Sequence, residues 1–254
     1  MAKKTVIVTG ASKGIGLAIS TYLLKQGHNV VATARSGHLL KELLHEYPKQ
    51  LAVISGNIAN AHIAYNILEA ATENFGRVDG LIINHATLEP VVRIADSRVE
   101  DWKKCFDVNF FGAISLLEAT LPSLRSSKGN IILTSSGAAR HSYTGWGAYC
   151  ASKAALKSLG DTLAVEEPDI ITMSIEPGTV DTDMQKDLRE KHISVMDEKD
   201  QKKFMSLHED GKLAKPEEPG HLMANLILNA SKELSGQTFR WDSEIAAPYR
   251  EVDK

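Results

Sequence analysis

Six short apolar runs, separated by stretches of helical periodicity, constrain this chain more than any other feature. They are TVIVT (Thr5 to Thr9), NVVATA (Asn29 to Ala34), LAVIS (Leu51 to Ser55), GLIIN (Gly80 to Asn84), NIILTS (Asn130 to Ser135) and IITMSIEP (Ile170 to Pro177). Their hydrophobicity is continuous and does not alternate, so each reads as a strand covered on both faces. Between them lie helical stretches such as GLAISTYLLKQG and AYNILEAATENFG. This order predicts an α/β fold with a doubly wound parallel sheet, helices on both faces and right-handed crossovers. At 254 residues the chain buries roughly 70–75% of its unfolded surface, and α/β folds of this length are commonly single domains. No linker, repeat or low-complexity segment interrupts residues 1–254.

The formal charge of −3 argues against a nucleic-acid or anionic-membrane surface. The two cysteines, Cys105 and Cys150, are too few for a disulfide framework and lack zinc-site spacing. No histidine pair has metal-ligand spacing, so no metal is expected. The N-terminus passes at once into a buried strand and does not read as a signal peptide. No apolar run reaches the length that spans a bilayer. These features lead us to expect a soluble, cytoplasmic protein.

The first strand empties into Thr9-Gly10-Ala11-Ser12-Lys13-Gly14-Ile15-Gly16, with a helical pattern from Leu17. Glycines there permit a tight turn and close backbone approach, and a helix N-terminus offers free N–H groups to phosphate. A loop that merely needs glycine's torsions would look similar, but its position between the first strand and first helix favours a dinucleotide. The second strand ends Ala34-Arg35-Ser36, where an NAD-selective site usually carries a carboxylate. Arg35, with Lys13 from the glycine loop, instead suits a 2′-phosphate. The expected cofactor is NADP(H).

In the run GWGAYCASKAALKSL, Tyr149 and Lys153 stand four apart and so share a helix face. An ammonium near a phenol favours the phenolate. Lowering the phenol from about 10 by roughly three units takes about 4 kcal/mol of differential interaction and would place a proton donor near working pH. Alone the pair is weak; its surroundings give it weight. Cys150 points about 100° away around the helix and reads as packing. The polar stretch Lys186 to Lys203 reads as a solvated helix surface, as a substrate lid over about 183–212, or as both.

Taken together, the chain resembles the short-chain dehydrogenase/reductase family of the ordinary kind, over Thr5 to about Met184, with the final strand and tail more loosely. TGxxxGxG is met by Thr9 to Gly16, YxxxK by Tyr149 and Lys153, and a PGxVxTxM-like segment by Pro177, Gly178, Val180, Thr182 and Met184. The family's serine, thirteen positions before the tyrosine, selects Ser136 over Ser135, and its asparagine matches Asn109 in DVNFFG. The resemblance implies a Rossmann-type fold and a catalytic set of Asn109, Ser136, Tyr149 and Lys153. It implies cofactor contacts from Gly10, Ser12, Lys13, Gly14, Ile15, Gly16, Arg35, Asn57, Ile58, Asn84, Tyr149, Lys153, Pro177, Gly178, Val180 and Thr182. Tyr149 would donate a proton, Ser136 would stabilise the developing oxyanion, and Lys153 would depress the tyrosine pKa and hold the nicotinamide ribose. Asn109 would kink its helix and help position a water.

The chain departs from the family's NNAG at Ile83-Asn84-His85-Ala86, and Asn57 replaces a frequent aspartate near the adenine. His85 either reaches the cofactor or is satisfied by backbone near the strand end. LEPV at Leu88 to Val91, SSGA at Ser135 to Ala138 and VDTDMQKDLRE from Val180 are similar to a narrower branch of benzil reductases and sepiapterin-reductase-like enzymes. That implies reduction of one carbonyl of a bulky, often aromatic, diketone. Ala138, Tyr143, Trp146, Met184 and the nearby His141 are either pocket residues or ordinary packing; aromatic and thioether groups suit an apolar pocket. The resemblance also implies a homodimer or homotetramer formed through Ala151, Ala155, Leu159 and Leu163 and through the helix Trp102 to Leu124. The expected function is NADPH-dependent carbonyl reduction. The alternatives are a non-catalytic NADP(H)-sensing or partner-binding protein on the same fold, and an alcohol dehydrogenase running oxidatively.

Overall fold

Backbone hydrogen bonding resolves the apolar runs into strands β1 (Thr5–Thr9), β2 (Asn29–Ala34), β3 (Leu51–Ser55), β4 (Gly80–Ile83), β5 (Asn130–Thr134) and β6 (Ile171–Glu176), each within one residue of the expected ends at either side. The computed structural model describes residues 2–250. A short seventh strand, β7 (Thr238–Arg240), closes the edge. All pair in parallel, in the order β3-β2-β1-β4-β5-β6-β7. The order reverses between β1 and β4, and a ligand crevice belongs outside their carboxyl ends.

Alternation along the strands sends Val6 and Val8 to one face and Ile7 to the other. The first face packs on α1 (Gly14–Lys25) and α9 (Glu217–Asn229), through Ile19, Leu23, Leu222 and Ile227. The second packs on α3 (His62–Phe75), α5 (Gly112–Ser127) and α6 (Gly147–Glu166), through Ile67, Leu116, Leu124 and Leu156. The edge strand β3 is only half covered beyond Leu51; the short α2 (Lys41–Glu46) lies before it.

Two local differences from expectation bear on function. Helix α1 begins at Gly14, not Leu17, because Lys13 is already extended (φ −161°) and completes the turn. The Trp102-to-Leu124 helix is interrupted: α4 (Val99–Phe106) passes through one π-turn (Asp107–Phe111) into α5. Such bulges are frequent at functional sites, and Asn109 sits on this one. Of the proposed α6 contact face, Leu163 is buried in its own chain's core and Leu159 packs against that core, while Ala151 and Ala155 stay half-buried. The 183–212 region holds α7 (Asp183–Asp187), a π-turn (Leu188–His192) and α8 (Glu198–Glu209). Helix α8 turns Lys199 and Lys202 to solvent and buries Phe204, which is the solvated helix surface expected of this stretch. Among the described residues no helix is long and apolar enough to cross a membrane.

Candidate active site

A cleft of about 2030 Å³ runs along the carboxyl edge of the sheet. Gly10, Ser12, Lys13, Gly14, Ile15, Arg35, Asn57, Ile58, Asn84, Pro177, Gly178, Val180 and Thr182 line it, and so do Ser136, Tyr149, Lys153, Ala138, His141, Tyr143, Trp146 and Met184. Gly16 and Asn109 do not. Gly16 lies behind the loop, where a β-carbon would stand 2.2 Å from the Gly10 carbonyl oxygen; its part is close packing of helix on strand. Asn109 is buried and acts from behind the wall.

The glycine loop is anchored by Thr9. Its hydroxyl accepts from the backbone N–H groups of Asn84 (2.9 Å) and His85 (3.2 Å), and Asn84 Nδ2 donates to the Thr9 carbonyl (3.1 Å). The Asn84 amide thus ties β4 to β1. Gly10 adopts φ +65°, a torsion that glycine holds without steric cost. Helix α1 has no side-chain cap and no acidic residue in its first turn. Its orphan N–H groups and positive end face the cleft, a cradle fitted to a diphosphate. At the adenine end Arg35 is exposed, and Asn57 Oδ1 takes the Ala59 N–H at 3.2 Å while keeping a second lone pair. Lys13 Nζ pairs with Asp183 Oδ2 at 2.5 Å, so it bridges to the 183–212 region, and it lines the same cleft as Arg35. The donor set suits a dinucleotide.

At the catalytic end, Lys153 is buried and donates to the Thr134 carbonyl at 2.7 Å. Burial lowers its pKa to about 8, with Cys105 opposing. Its ammonium lies 5.9 Å from the centroid of the Tyr149 ring. Burial pushes the Tyr149 phenol up to about 12, and hydrogen bonding with Ser136 opposes only part of that rise. The expected drop toward neutrality is therefore not met: desolvation outweighs the Ser136 hydrogen bond, and the phenol keeps its proton. The Ser136 hydroxyl also accepts from the Ala138 N–H (3.1 Å).

Behind them, Asn109 Oδ1 accepts from the Thr87 N–H (2.8 Å), and its Nδ2 donates to the Thr87 carbonyl (2.9 Å) and to Ser152 Oγ (3.0 Å). Ser152 in turn donates to the Tyr149 carbonyl (2.8 Å). The π-turn, the post-β4 loop and the catalytic helix form one network. His85 is satisfied locally. The Val108 carbonyl can only accept, so Nε2 carries the proton across 3.0 Å and Nδ1 accepts from the Thr9 hydroxyl at 2.7 Å. Burial and the nearby Lys153 charge lower its pKa to about 3. Cys150 directs Sγ to the His141 carbonyl (3.7 Å), and burial raises its thiol pKa, in keeping with packing.

The pocket above Tyr149 is aromatic. Trp146 meets the Tyr149 ring edge-on at 5.8 Å, Tyr143 lies 4.7 Å from Trp146, and Phe204 stacks on Trp146 at 5.6 Å. Leu88, Ala138, Leu188 and Met196 complete the cluster. Sequence reading missed Thr9, Ser152, Leu88 and Phe204 as site residues. Phe204 had a signal, being the one aromatic in the polar EKDQKKFMSLHE. Thr9 and Ser152 lie inside recognised motifs, but hydroxyl partners are not visible in one dimension.

A family model described as short chain dehydrogenase matches residues 4–193. An oxidoreductase of Schizosaccharomyces pombe is 37% identical over 246 residues, 96% of this chain and 98% of the relative. A benzil reductase ((S)-benzoin forming) of Saccharomyces cerevisiae is 36% identical over 258 residues, 96% and 98% of the two chains. The crystal structure of a short-chain dehydrogenase/reductase from Saccharomyces cerevisiae superposes with TM-score 0.94 at 34% identity, covering 98% of this chain and all of the other. The KRED1-Pglu enzyme structure gives 0.91 at 38%, covering 93% of this chain. The chain belongs to the short-chain dehydrogenase/reductase family. It is an oxidoreductase acting on carbonyl or hydroxyl groups, with an NAD(P)(H) cofactor.

Proposed function

We propose that the protein is an NADPH-dependent carbonyl reductase that reduces one carbonyl of a bulky, benzil-like ketone or diketone to the alcohol or hydroxyketone. One observation carries the reading: the cleft joins an uncapped helix N-terminus and Arg35 at one end to a protonated phenol under an aromatic wall at the other. The dinucleotide's phosphates would lie on Gly10 to Ile15, its 2′-phosphate at Arg35, its adenine by Asn57 and Ile58, and its nicotinamide end among Tyr149, Lys153 and Pro177 to Thr182. When bound in reduced form it supplies the hydride. Tyr149 holds the proton for the developing alkoxide; an alkoxide is more basic than a phenolate, so transfer is downhill even at about 12. Ser136 donates to the same oxygen. Asn109 and Ser152 fix the helix that presents Tyr149. The likeness to a benzil reductase supports the diketone.

Residues 183–212 would serve as a lid. We place the protein in the cytoplasm as a homodimer or homotetramer, with exposed Phe111, just before α5, and Ile114, on α5, available to a second copy. Initial rates with benzil, aliphatic diketones, quinones, pterin ketones and sugars, using NADPH and NADH, test the reading. Preferred turnover of aryl diketones with NADPH is expected; inertness toward all of them would end it. Arg35→Asp should move preference toward NADH.

A further inference from the structure

Native proteins rarely leave a buried donor unpaired, and each such group calls for an explanation. Three polar atoms among the residues lining the cleft are buried without a partner: Ser135 Oγ, Glu176 Oε1 and Trp146 Nε1. The first two have other outlets. A hydroxyl can turn, and the second Glu176 oxygen is bound to Arg140 at 2.7 Å. The indole has one N–H and no acceptor role, so its only use is to donate.

Trp146 is 7% exposed and precedes α6 by one residue, three before Tyr149. Its ring stands at 85° to the phenol, with centroids 5.8 Å apart. Phe204 stacks on the indole at 19°, and Tyr143 packs beside it with its hydroxyl occupied by Lys203 Nζ at 3.2 Å. Of the neighbouring polar groups, Asn109 is spent on Thr87 and Ser152, while Ser136 accepts from the Ala138 N–H and keeps its own O–H for the reacting oxygen. The unspent donor is therefore fixed in an apolar cage one ring away from the proton donor.

We propose that Trp146 is a specificity-determining residue for vicinal dicarbonyls: the aromatic wall shifts on substrate entry to bare its indole N–H, closed off in this conformation, which donates to the second carbonyl oxygen while the first sits at Tyr149 and Ser136. This rests on the diketone-reductase reading above and adds a reason for it. Phe204 and Tyr143 take the aryl group, and a monoketone of the same shape leaves the indole unpaired. A site built around a hydrogen bond discriminates strongly against an analogue lacking the partner, because the unpaired group bears its full desolvation cost.

The test compares benzil with deoxybenzoin, the same skeleton less one carbonyl oxygen, using NADPH. Trp146→Phe keeps an aromatic ring and removes the N–H. It should lower the ratio of kcat/KM for benzil to that for deoxybenzoin by about tenfold or more. A parallel loss on both substrates, or no loss on either, overturns the proposal. Independently, the Tyr149→Phe protein with Trp146 intact and NADP+ bound should bind benzil at least about fivefold more tightly than deoxybenzoin by calorimetry; equal affinities overturn it without relying on the tryptophan variant. A wild-type protein inert toward benzil but active on other carbonyls removes the diketone reading and this inference together, a result distinct from an active enzyme with an indifferent variant.

Discussion

The two walls of the cleft are held by different interactions. The wall built on α6 and the π-turn is fixed by buried hydrogen bonds: Lys153 to the Thr134 carbonyl, Asn109 to both backbone groups of Thr87, Ser152 to the Tyr149 carbonyl. The wall supplied by residues 183–212 is fixed by packed rings and solvent-exposed ion pairs, Phe204 on Trp146, Lys13 with Asp183, Arg93 with Asp197. Buried networks tolerate little displacement, because a broken bond leaves a desolvated group unpaired. Packed apolar surfaces tolerate changes that conserve volume. Proton transfer needs the first kind of wall, and a pocket that admits different carbonyls needs the second.

The comparison is broken most directly at Tyr149. Tyr149→Phe removes one hydroxyl and should lower kcat by roughly a hundredfold to a thousandfold or more, as loss of an oriented donor does. NADPH affinity, measured by fluorescence titration, should stay within about threefold. A variant that kept most of its rate would place the proton donor elsewhere.

Lys153 separates the two kinds of wall by pH. Its pKa of about 8 lies well below the phenol's of about 12, so kcat/KM should fall as pH rises through about 8, while Tyr149 still holds its proton. Lys153→Arg, slower overall, should lack that limb. The sign for stability is opposite. Between about 8 and the unfolded value of 10.5 the unfolded chain binds the extra proton, so this residue adds stability as pH rises through the window. Lys153→Met should flatten that gain in chemical denaturation curves.

What the sequence disclosed follows the same division. Strands β1 to β6 were legible because a parallel sheet covered on both faces needs unbroken apolar runs, and VIV or GLII has no other economical use. Tyr149, Lys153 and the glycine loop were legible because fixed spacing on one helix or one turn carries their geometry. Asn109 was found by its motif, but its bond to Ser152, 43 residues away, required the fold. The phenol's pKa was misjudged because spacing reveals a neighbouring charge and hides desolvation. Phe204 was passed over because charged neighbours dominate its segment, and the ring it meets is 58 residues distant in the chain.

His85 sharpens the comparison with a smaller effect. It is buried neutral, with its pKa lowered to about 3 from 6.5. The unfolded chain therefore binds more protons between those values, and stability is lost as pH falls from 6.5 toward 3. His85→Gln keeps a donor for the Val108 carbonyl without a group that must charge. The variant should unfold at a more nearly constant temperature between pH 8 and pH 5 than the wild type, measured by circular dichroism at both values. An unchanged pH slope would show that other groups set the acid limb.

The weakest effect belongs to the Lys13–Asp183 pair. Both side chains are more than three-fifths exposed, and ion pairs of that kind contribute about 0–1 kcal/mol. Asp183→Asn should thus barely move the melting temperature. The same change frees the Lys13 ammonium from its partner. In the proposed cofactor pose that charge lies on the phosphate side of the cleft, so KM for NADPH should fall modestly, by about twofold to fivefold at low salt, and the difference should shrink as ionic strength rises. Because the freed ammonium holds the dinucleotide more tightly, release of product dinucleotide should slow, whereas Tyr149-dependent chemistry in a single turnover should stay the same. A change in the single-turnover rate would show that the two walls are mechanically coupled and that the division between them is not real.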